Sequence, residues 1–120
     1  MQKKTLVLGA SDNPERYSYL AVKKLTAHQH PVVAIGRKAT IIGDIKVETA
    51  LQPQADIDTV TLYLNPTAQK EYYDYILSLK PKRIIFNPGT ENDELYDLAK
   101  ANHIEPVEAC TLVMLGTGQY

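Results

Sequence analysis

The strongest indication of the fold class is the segment Thr5-Leu6-Val7-Leu8-Gly9-Ala10-Ser11-Asp12-Asn13-Pro14. Its first four residues form a short apolar run, which is typical of a strand buried on both faces of a parallel sheet. A turn of small and polar residues begins at Gly9. Residues 17–28 then carry mostly apolar side chains at spacings of three and four, which predicts an amphipathic helix. A strand, a turn and a helix in this order are the start of a βαβ unit.

The same alternation continues to the end of the sequence. Further strands are predicted at residues 31–35, 59–64, 83–86 and 105–109. A helix is predicted after Asn65-Pro66 and is stopped by Lys80-Pro81; another is predicted at residues 93–101 with Asn92 as its cap, and a last helical turn at 111–115. Residues 39–56 contain Gly43 and Pro53, and we interpret them as a loop with a short strand or a helical turn.

These elements predict one domain, residues 1–120, of the α/β class. The expected architecture is Rossmann-like and doubly wound, with a five-stranded parallel sheet, the first strand in a central position and helices on both faces. In such sheets ligands bind at the carboxyl ends of the strands, where the chain changes direction.

Composition limits the classes of function. The 120 residues have a net charge of -1 and are 44% hydrophobic and 22% charged, so there is no general electrostatic attraction to nucleic acid or to a membrane surface. The first apolar run is too short for a signal peptide. The single Cys110 cannot form an internal disulfide and fits a reducing compartment. A cytoplasmic location is therefore expected.

The turn after the first strand is a candidate phosphate site. Small residues at Gly9, Ala10 and Ser11 would let a phosphate approach backbone N–H groups near a helix N-terminus. Only one glycine of the three-glycine dinucleotide fingerprint is present, and a lone glycine is also common in tight turns. Arg16 opposes the helix dipole at this position, so it either neutralises a bound anion or pairs with Glu15 or Asp12.

The end of the second strand separates classes of cofactor. NAD sites usually place an acidic residue there, whereas this chain has Gly36-Arg37-Lys38. A basic pair suits a phosphorylated ribose, which both NADP and coenzyme A carry. Alternatively, Arg37 and Lys38 are only solvent-exposed charges on a loop and contact no ligand.

Other residues carry weaker signals. His28, His30 and His103 lack the spacing of metal ligands. Cys110 faces the pocket or packs as a small apolar residue. Three tyrosines on one predicted helix indicate either a subunit interface, and hence a homo-oligomer, or a cap on the core: Tyr72, Tyr73 and Tyr75.

At residues 7–19 the sequence resembles a known family, the small coenzyme A-binding domain proteins, whose fold is also that of the N-terminal domain of the succinyl-CoA ligase α subunit. The resemblance covers nearly the whole chain. It continues at Ile42-Gly43, at residues 57–66, at Asn87-Pro88-Gly89, at residues 92–99 and at Cys110.

The resemblance implies which residues contact coenzyme A. The phosphates would face Gly9, Ala10, Ser11, Asn13 and Arg16, and the ribose or its phosphate would lie beside Ile35, Gly36 and Arg37. The wall beside the adenine and pantetheine would be Tyr63, Leu64, Asn65 and Pro66, with Asn87, Pro88 and Gly89 as the neighbouring rim.

Three functional hypotheses follow. The leading one is a stand-alone module that binds coenzyme A or an acyl-CoA without catalysis. In the succinyl-CoA ligase, phosphoryl transfer uses a histidine of a further domain, which is absent here, and the residues of this sequence show no nucleophile paired with a base. The second is an NADP-binding, oxidoreductase-like protein in which Arg37 holds the 2′-phosphate. The third is a protein-interaction domain with a vestigial nucleotide pocket.

Overall fold

Seven strands form one sheet in the computed structural model, which describes residues 2–120. In chain order they are β1 (Thr5–Leu8), β2 (Val32–Ile35), β3 (Thr40–Ile42), β4 (Ile45–Glu48), β5 (Thr59–Leu62), β6 (Arg83–Phe86) and β7 (Glu105–Glu108). Their order across the sheet is β3-β4-β2-β1-β5-β6-β7. The first strand is therefore the middle one.

The five strands predicted from apolar runs are all present and all pair in parallel. The predicted total of five is wrong, because residues 40–48 form two more strands. β3 and β4 make an antiparallel hairpin, and β4 pairs in parallel with β2. Only Ile42 and Val47 of this hairpin are well buried. A hairpin with so few inward side chains leaves little apolar pattern in the sequence.

The helices are α1 (Tyr17–Ala27), α2 (Pro66–Gln69), α3 (Tyr73–Ser78), α4 (Asp93–Ala101) and α5 (Thr111–Gly116). They cover both faces of the sheet. Val7 of β1 packs in a core with Val22 of α1 and Leu115 of α5. Leu6 and Leu8 point to the opposite core, which contains residues of α3 and α4. The doubly wound arrangement follows from this alternation, because successive side chains of a strand point to opposite faces.

The helix predicted after Asn65-Pro66 is divided. A 3₁₀ turn at Lys70–Tyr72 separates α2 from α3. The tighter turn changes the helical phase, so that both Tyr72 and Tyr73 pack against the same core as Ile76. Tyr75 also packs there, and its hydroxyl donates to the carbonyl of Gln52 at 2.7 Å. In this structure the three tyrosines thus cap the core.

The amino ends of the strands are closed by packed polar groups. Arg83, at the start of β6, is 9% exposed, and its Nε donates to Thr59 Oγ1 at 2.7 Å. The guanidinium carbon lies 4.3 Å from the centre of the Tyr120 ring. The Tyr120 hydroxyl shares a hydrogen bond with Thr5 Oγ1. This end of the sheet is held by contacts within the chain.

Within residues 2–120, no helix has the length and apolar character needed to cross a membrane.

Candidate functional site

A cleft of about 770 Å³ opens at the carboxyl ends of the central strands. The chain leaves β1 toward α1 and β2 on one side, and leaves β5 toward β6 on the other, so the cleft lies at the switch point of the sheet. Its lining comes from three segments: the β1–α1 turn with the first turn of α1, the β2–β3 connection, and the loops after β5 and β6.

Gly9 lets the β1–α1 turn pass close to the β5 strand. Its φ is +93°, and a Cβ placed there would lie 3.0 Å from the carbonyl carbon and oxygen of Tyr63. The amides of Gly9 and Ala10 both donate to the carbonyl of Ile35 at 2.9 Å. A side chain at position 9 would therefore strain the backbone and push the turn away from β5.

Local hydrogen bonds shape the rest of the turn. Ser11 Oγ accepts from the amide of Asn13 at 3.1 Å, and Asn13 Oδ1 accepts from the amide of Glu15 at 3.0 Å. The chain then enters α1 at Arg16, whose extended backbone is the N-cap. Among the residues that the structure describes, none accepts a hydrogen bond from the amides of residues 17–19. These N–H groups give the entrance of α1 a positive potential beside the cleft.

Basic side chains surround this entrance. Arg16, Arg37 and Lys38 all line the cleft. Lys38 pairs with Asp12 at 3.5 Å, whereas neither arginine pairs with an acidic group in residues 2–120. The proposed pairing of Arg16 with Glu15 or Asp12 is therefore not formed.

Asp12 instead connects two segments of the cleft. Its Oδ2 accepts from Thr40 Oγ1 at 2.7 Å, which ties the β1–α1 turn to β3. The hydrogen bond from Thr40, together with the charge of Lys38, holds the pKa of Asp12 below its usual value. The carboxylate thus stays ionised and keeps the hairpin next to the turn.

The opposite wall consists of the loops after β5 and β6: Tyr63, Leu64, Asn65, Ala68, Pro88, Gly89 and Thr90. Tyr63 packs on the α1 side of the sheet, and its buried hydroxyl makes no hydrogen bond of good geometry to the described residues, although Thr61 and Thr111 lie beside it. Burial raises the pKa of this phenol well above its usual value. Tyr63 is therefore neutral at physiological pH.

Of the residues predicted to bind the cofactor, ten line the cleft: Gly9, Ala10, Ser11, Arg16, Arg37, Tyr63, Leu64, Asn65, Pro88 and Gly89. Five do not. Ile35 is in the core, Pro66 is the first residue of α2, and Asn13 is an exposed residue of the turn.

Gly36 and Asn87 are also outside the lining, and each has a structural position. A Cβ on Gly36 would lie 2.3 Å from the carbonyl oxygen of Ala10, so glycine is required for the two turns to touch. Asn87 is buried, and its Nδ2 donates to Thr61 Oγ1 and to the carbonyl of Leu62, while its Oδ1 accepts from the amide of Thr111. Each of the two residues thus holds together segments that adjoin the cleft lining.

Sequence reasoning did not select eight lining residues: Asp12, Glu15, Tyr17, Ser18, Lys38, Thr40, Ala68 and Thr90. Lys38 had a signal, since it belongs to the basic pair after β2. Asp12, Glu15, Tyr17 and Ser18 lie within the quoted motif. Thr40 and Thr90 had none, because they reach the cleft through a hairpin and a loop whose course depends on distant contacts.

Cys110 is partly buried and is the N-cap residue of α5. Within residues 2–120, no group of three or more His, Cys, Asp or Glu side chains could hold a metal ion.

The sheet order and the cleft at the switch point define a Rossmann-like α/β domain. Residues 3–116 match the family model of the CoA binding domain, and the chain belongs to this family. No curated protein matches the chain.

Solved structures share the fold. The crystal structure of an uncharacterized protein is 49% identical, with a TM-score of 0.98, over 100% of this chain and 99% of that one. A hypothetical protein from Pyrococcus horikoshii OT3 is 24% identical, with a TM-score of 0.87, over 97% and 83%. An oxidoreductase from Bacillus cereus is 14% identical, with a TM-score of 0.58, over 89% of this chain and 34% of that one. The last two show the fold alone.

Proposed function

We propose that this chain binds coenzyme A or an acyl-CoA in the cleft between the β1–α1 turn and the loops after β5 and β6, as a binding module without catalysis. Family membership supports the ligand class. The cleft, at about 770 Å³, is within the range of about 300–1,000 Å³ that is usual for small-molecule sites.

The observation that carries this proposal is the set of cationic groups at the entrance of α1. Arg16 and Arg37 line the cleft, and neither has an acidic partner in the described chain. The amides of residues 17–19, at the start of α1, make no backbone hydrogen bond to the described residues. Guanidinium groups and helix N-terminal amides together favour phosphate groups, of which coenzyme A carries three.

The turn geometry also fits such a ligand. Because position 9 has no Cβ, the β1–α1 turn can pass against Tyr63, and Ala10 and Ser11 remain in the lining of the cleft. The amides of Gly9 and Ala10 already donate to Ile35, so the amides that would bind a phosphate are those of residues 17–19. Asp12 and Glu15 add negative charge to the lining, but Asp12 is engaged by Thr40 and Lys38. In this assignment Arg16 contacts the pyrophosphate, and Arg37 contacts the phosphate on the ribose.

Calorimetric titration tests the ligand. We expect coenzyme A to bind more tightly than either NADP or NAD, because only coenzyme A has both the ribose 3′-phosphate and a pantetheine arm to lie along the opposite wall. Tighter binding of NADP would transfer the assignment to an oxidoreductase-like protein. Absence of binding by all three nucleotides would favour a protein-interaction domain with a vestigial pocket.

A further inference from the structure

Gln69, the last residue of α2, has no exposed surface although its side chain is polar. Burial of an amide costs free energy unless its groups find hydrogen-bond partners. The hydrogen-bond partners of Gln69 all lie in or next to the loops of one cleft wall.

Three hydrogen bonds satisfy the Gln69 amide. Its Nε2 donates to the carbonyl of Leu64 at 2.8 Å and to the carbonyl of Thr90 at 2.8 Å. Its Oε1 accepts from Nδ2 of Asn92 at 2.9 Å. Leu64 belongs to the loop after β5, and Thr90 to the loop after β6. One side chain therefore joins two separate loops, and one of its bonds reaches a residue 21 positions further along the chain.

Asn92 fixes the far end of this connection. Its Oδ1 accepts from the amides of Glu94 and Leu95, so it caps α4. Its Nδ2 also donates to the Tyr73 hydroxyl at 2.7 Å. The cap of α4, the side chain of Gln69 and the two loops consequently form one connected network.

Both loops line the cleft, whereas Gln69 itself does not. We propose that Gln69 is a positioning residue that holds the loops after β5 and β6 at a fixed separation, so that this wall is preorganised for the ligand. The part of this inference that concerns ligand affinity rests on the proposed function. A residue of this kind raises affinity without touching the ligand, because a rigid wall does not have to be ordered on binding.

The test compares Gln69→Leu with a control of equal stability. The leucine retains about the same volume but removes both donors and the acceptor. An Ile76→Val or Ile76→Ala variant is chosen to match its loss in Tm, since Ile76 is buried in the core against which Leu64 and Tyr73 pack and does not line the cleft. Both variants are titrated with coenzyme A well below their Tm.

We expect Gln69→Leu to weaken coenzyme A binding at least tenfold and the Ile76 control less than twofold. Equal losses in the two variants, or no loss in Gln69→Leu, would overturn the inference while leaving the proposed function intact. If Gln69→Leu does not fold, Gln69→Asn takes its place: it keeps the amide but is too short to reach both carbonyls, and wild-type affinity in that variant would equally overturn the inference.

A second arm needs no ligand. Hydrogen exchange of the ligand-free protein should show faster exchange of residues 62–69 and 86–92 together in the Gln69 variant, and not in the Ile76 control. Unchanged exchange in these segments would refute the connection between the loops. Because wild-type titration and ligand-free exchange are separate measurements, failure of coenzyme A to bind is distinguished from failure of Gln69 to position the wall.

Discussion

The two ends of the sheet hold arginine in different ways. At the amino end, Arg83 is nearly buried, donates through Nε to Thr59 and is covered by the Tyr120 ring, while its buried Nη2 has no hydrogen-bond partner among residues 2–120. At the carboxyl end, Arg16 and Arg37 are exposed on the cleft, and none of the three arginines pairs with an acidic group in that part of the chain. An arginine that is buried against a ring and bonded within the chain serves the fold, whereas an arginine exposed on a cleft is available to an external anion.

The largest expected effect is on stability, at the amino end. Arg83→Ala should lower the free energy of unfolding by about 3 kcal/mol, because it removes a buried charged hydrogen bond and a stacked aromatic contact. For a chain of this size that corresponds to a fall in Tm of about 10 °C, measured by calorimetry. Coenzyme A affinity of the folded variant should change less than twofold. A large loss of affinity at unchanged Tm would reverse the contrast between the two ends.

Arg16→Ala should have the opposite profile. Charged hydrogen bonds to a phosphate contribute about 1.5–3 kcal/mol, so coenzyme A affinity should fall about tenfold to a hundredfold in calorimetric titration. The Tm should stay nearly constant, because an exposed arginine at a helix start contributes little to stability.

Lys23→Ala is the matched control for Arg16, since it removes the same charge from an exposed position of α1 outside the cleft. The coenzyme A affinity of Lys23→Ala should remain within about twofold of wild type, because salt screens exposed charges that do not contact the ligand. If Arg16→Ala binds coenzyme A as tightly as wild type while remaining folded, the phosphates do not lie at the β1–α1 turn. That result would favour the hypothesis of a protein-interaction domain with a vestigial pocket.

Arg37→Ala tests which phosphate of coenzyme A lies beside Arg37 in the cleft. If Arg37 holds the ribose phosphate, its loss should weaken coenzyme A by about tenfold and leave dephospho-coenzyme A nearly unchanged, since that ligand lacks the group. Lys46→Ala, at an exposed position of β4, removes the same charge elsewhere. Equal losses for the two ligands would place Arg37 away from the ribose phosphate.

The smallest expected effect is a pH dependence at the amino end. Partial burial, together with the neighbouring charges of His28, Lys3 and Arg83, lowers the pKa of His30 below its unfolded value of 6.5. Below pH 6.5 the unfolded chain therefore takes up this proton more readily than the folded chain, and the free energy of unfolding should fall as the pH drops from 7 toward 5.

Denaturant titrations across this pH range measure the His30 contribution. His30→Asn should flatten the slope, while His103→Asn, at an exposed position after α4, should retain it. A slope that survives His30→Asn would assign the pH dependence to other groups.

Much of the fold could be predicted because it depends on local patterns. The buried run at Thr5–Leu8 and the Asn92 cap each have a physical cause within a few residues, and each appears in the structure. The helix α1 also forms, but Tyr17 and Leu20, which its spacing placed on the apolar face, are exposed. Where the β3–β4 hairpin forms, the sequence predicted only a loop with a short strand or a helical turn, since the alternation is short and the pairing with β2 depends on residues that are apart in sequence.

The candidate site divides in the same way. The β1–α1 turn and Arg16 were found because they directly follow a recognisable strand. Thr40 and Thr90 were not, and Gly36 was placed beside the ligand although it allows the contact with Ala10. A glycine has the same sequence signal whether a ligand or another backbone approaches it.

The α/β class, the parallel direction of the five apolar runs and the position of the β1–α1 turn with Arg16 could be predicted from the sequence, because periodicity, caps and strand-end chemistry are local properties. The hydrogen bond between Asp12 and Thr40, 28 residues apart, and the bonds that join Gln69 to Leu64 and Thr90 are known only from the three-dimensional structure. Hydrogen bonds between distant segments depend on how the sheet brings strand ends together. No pattern along the chain encodes those distances.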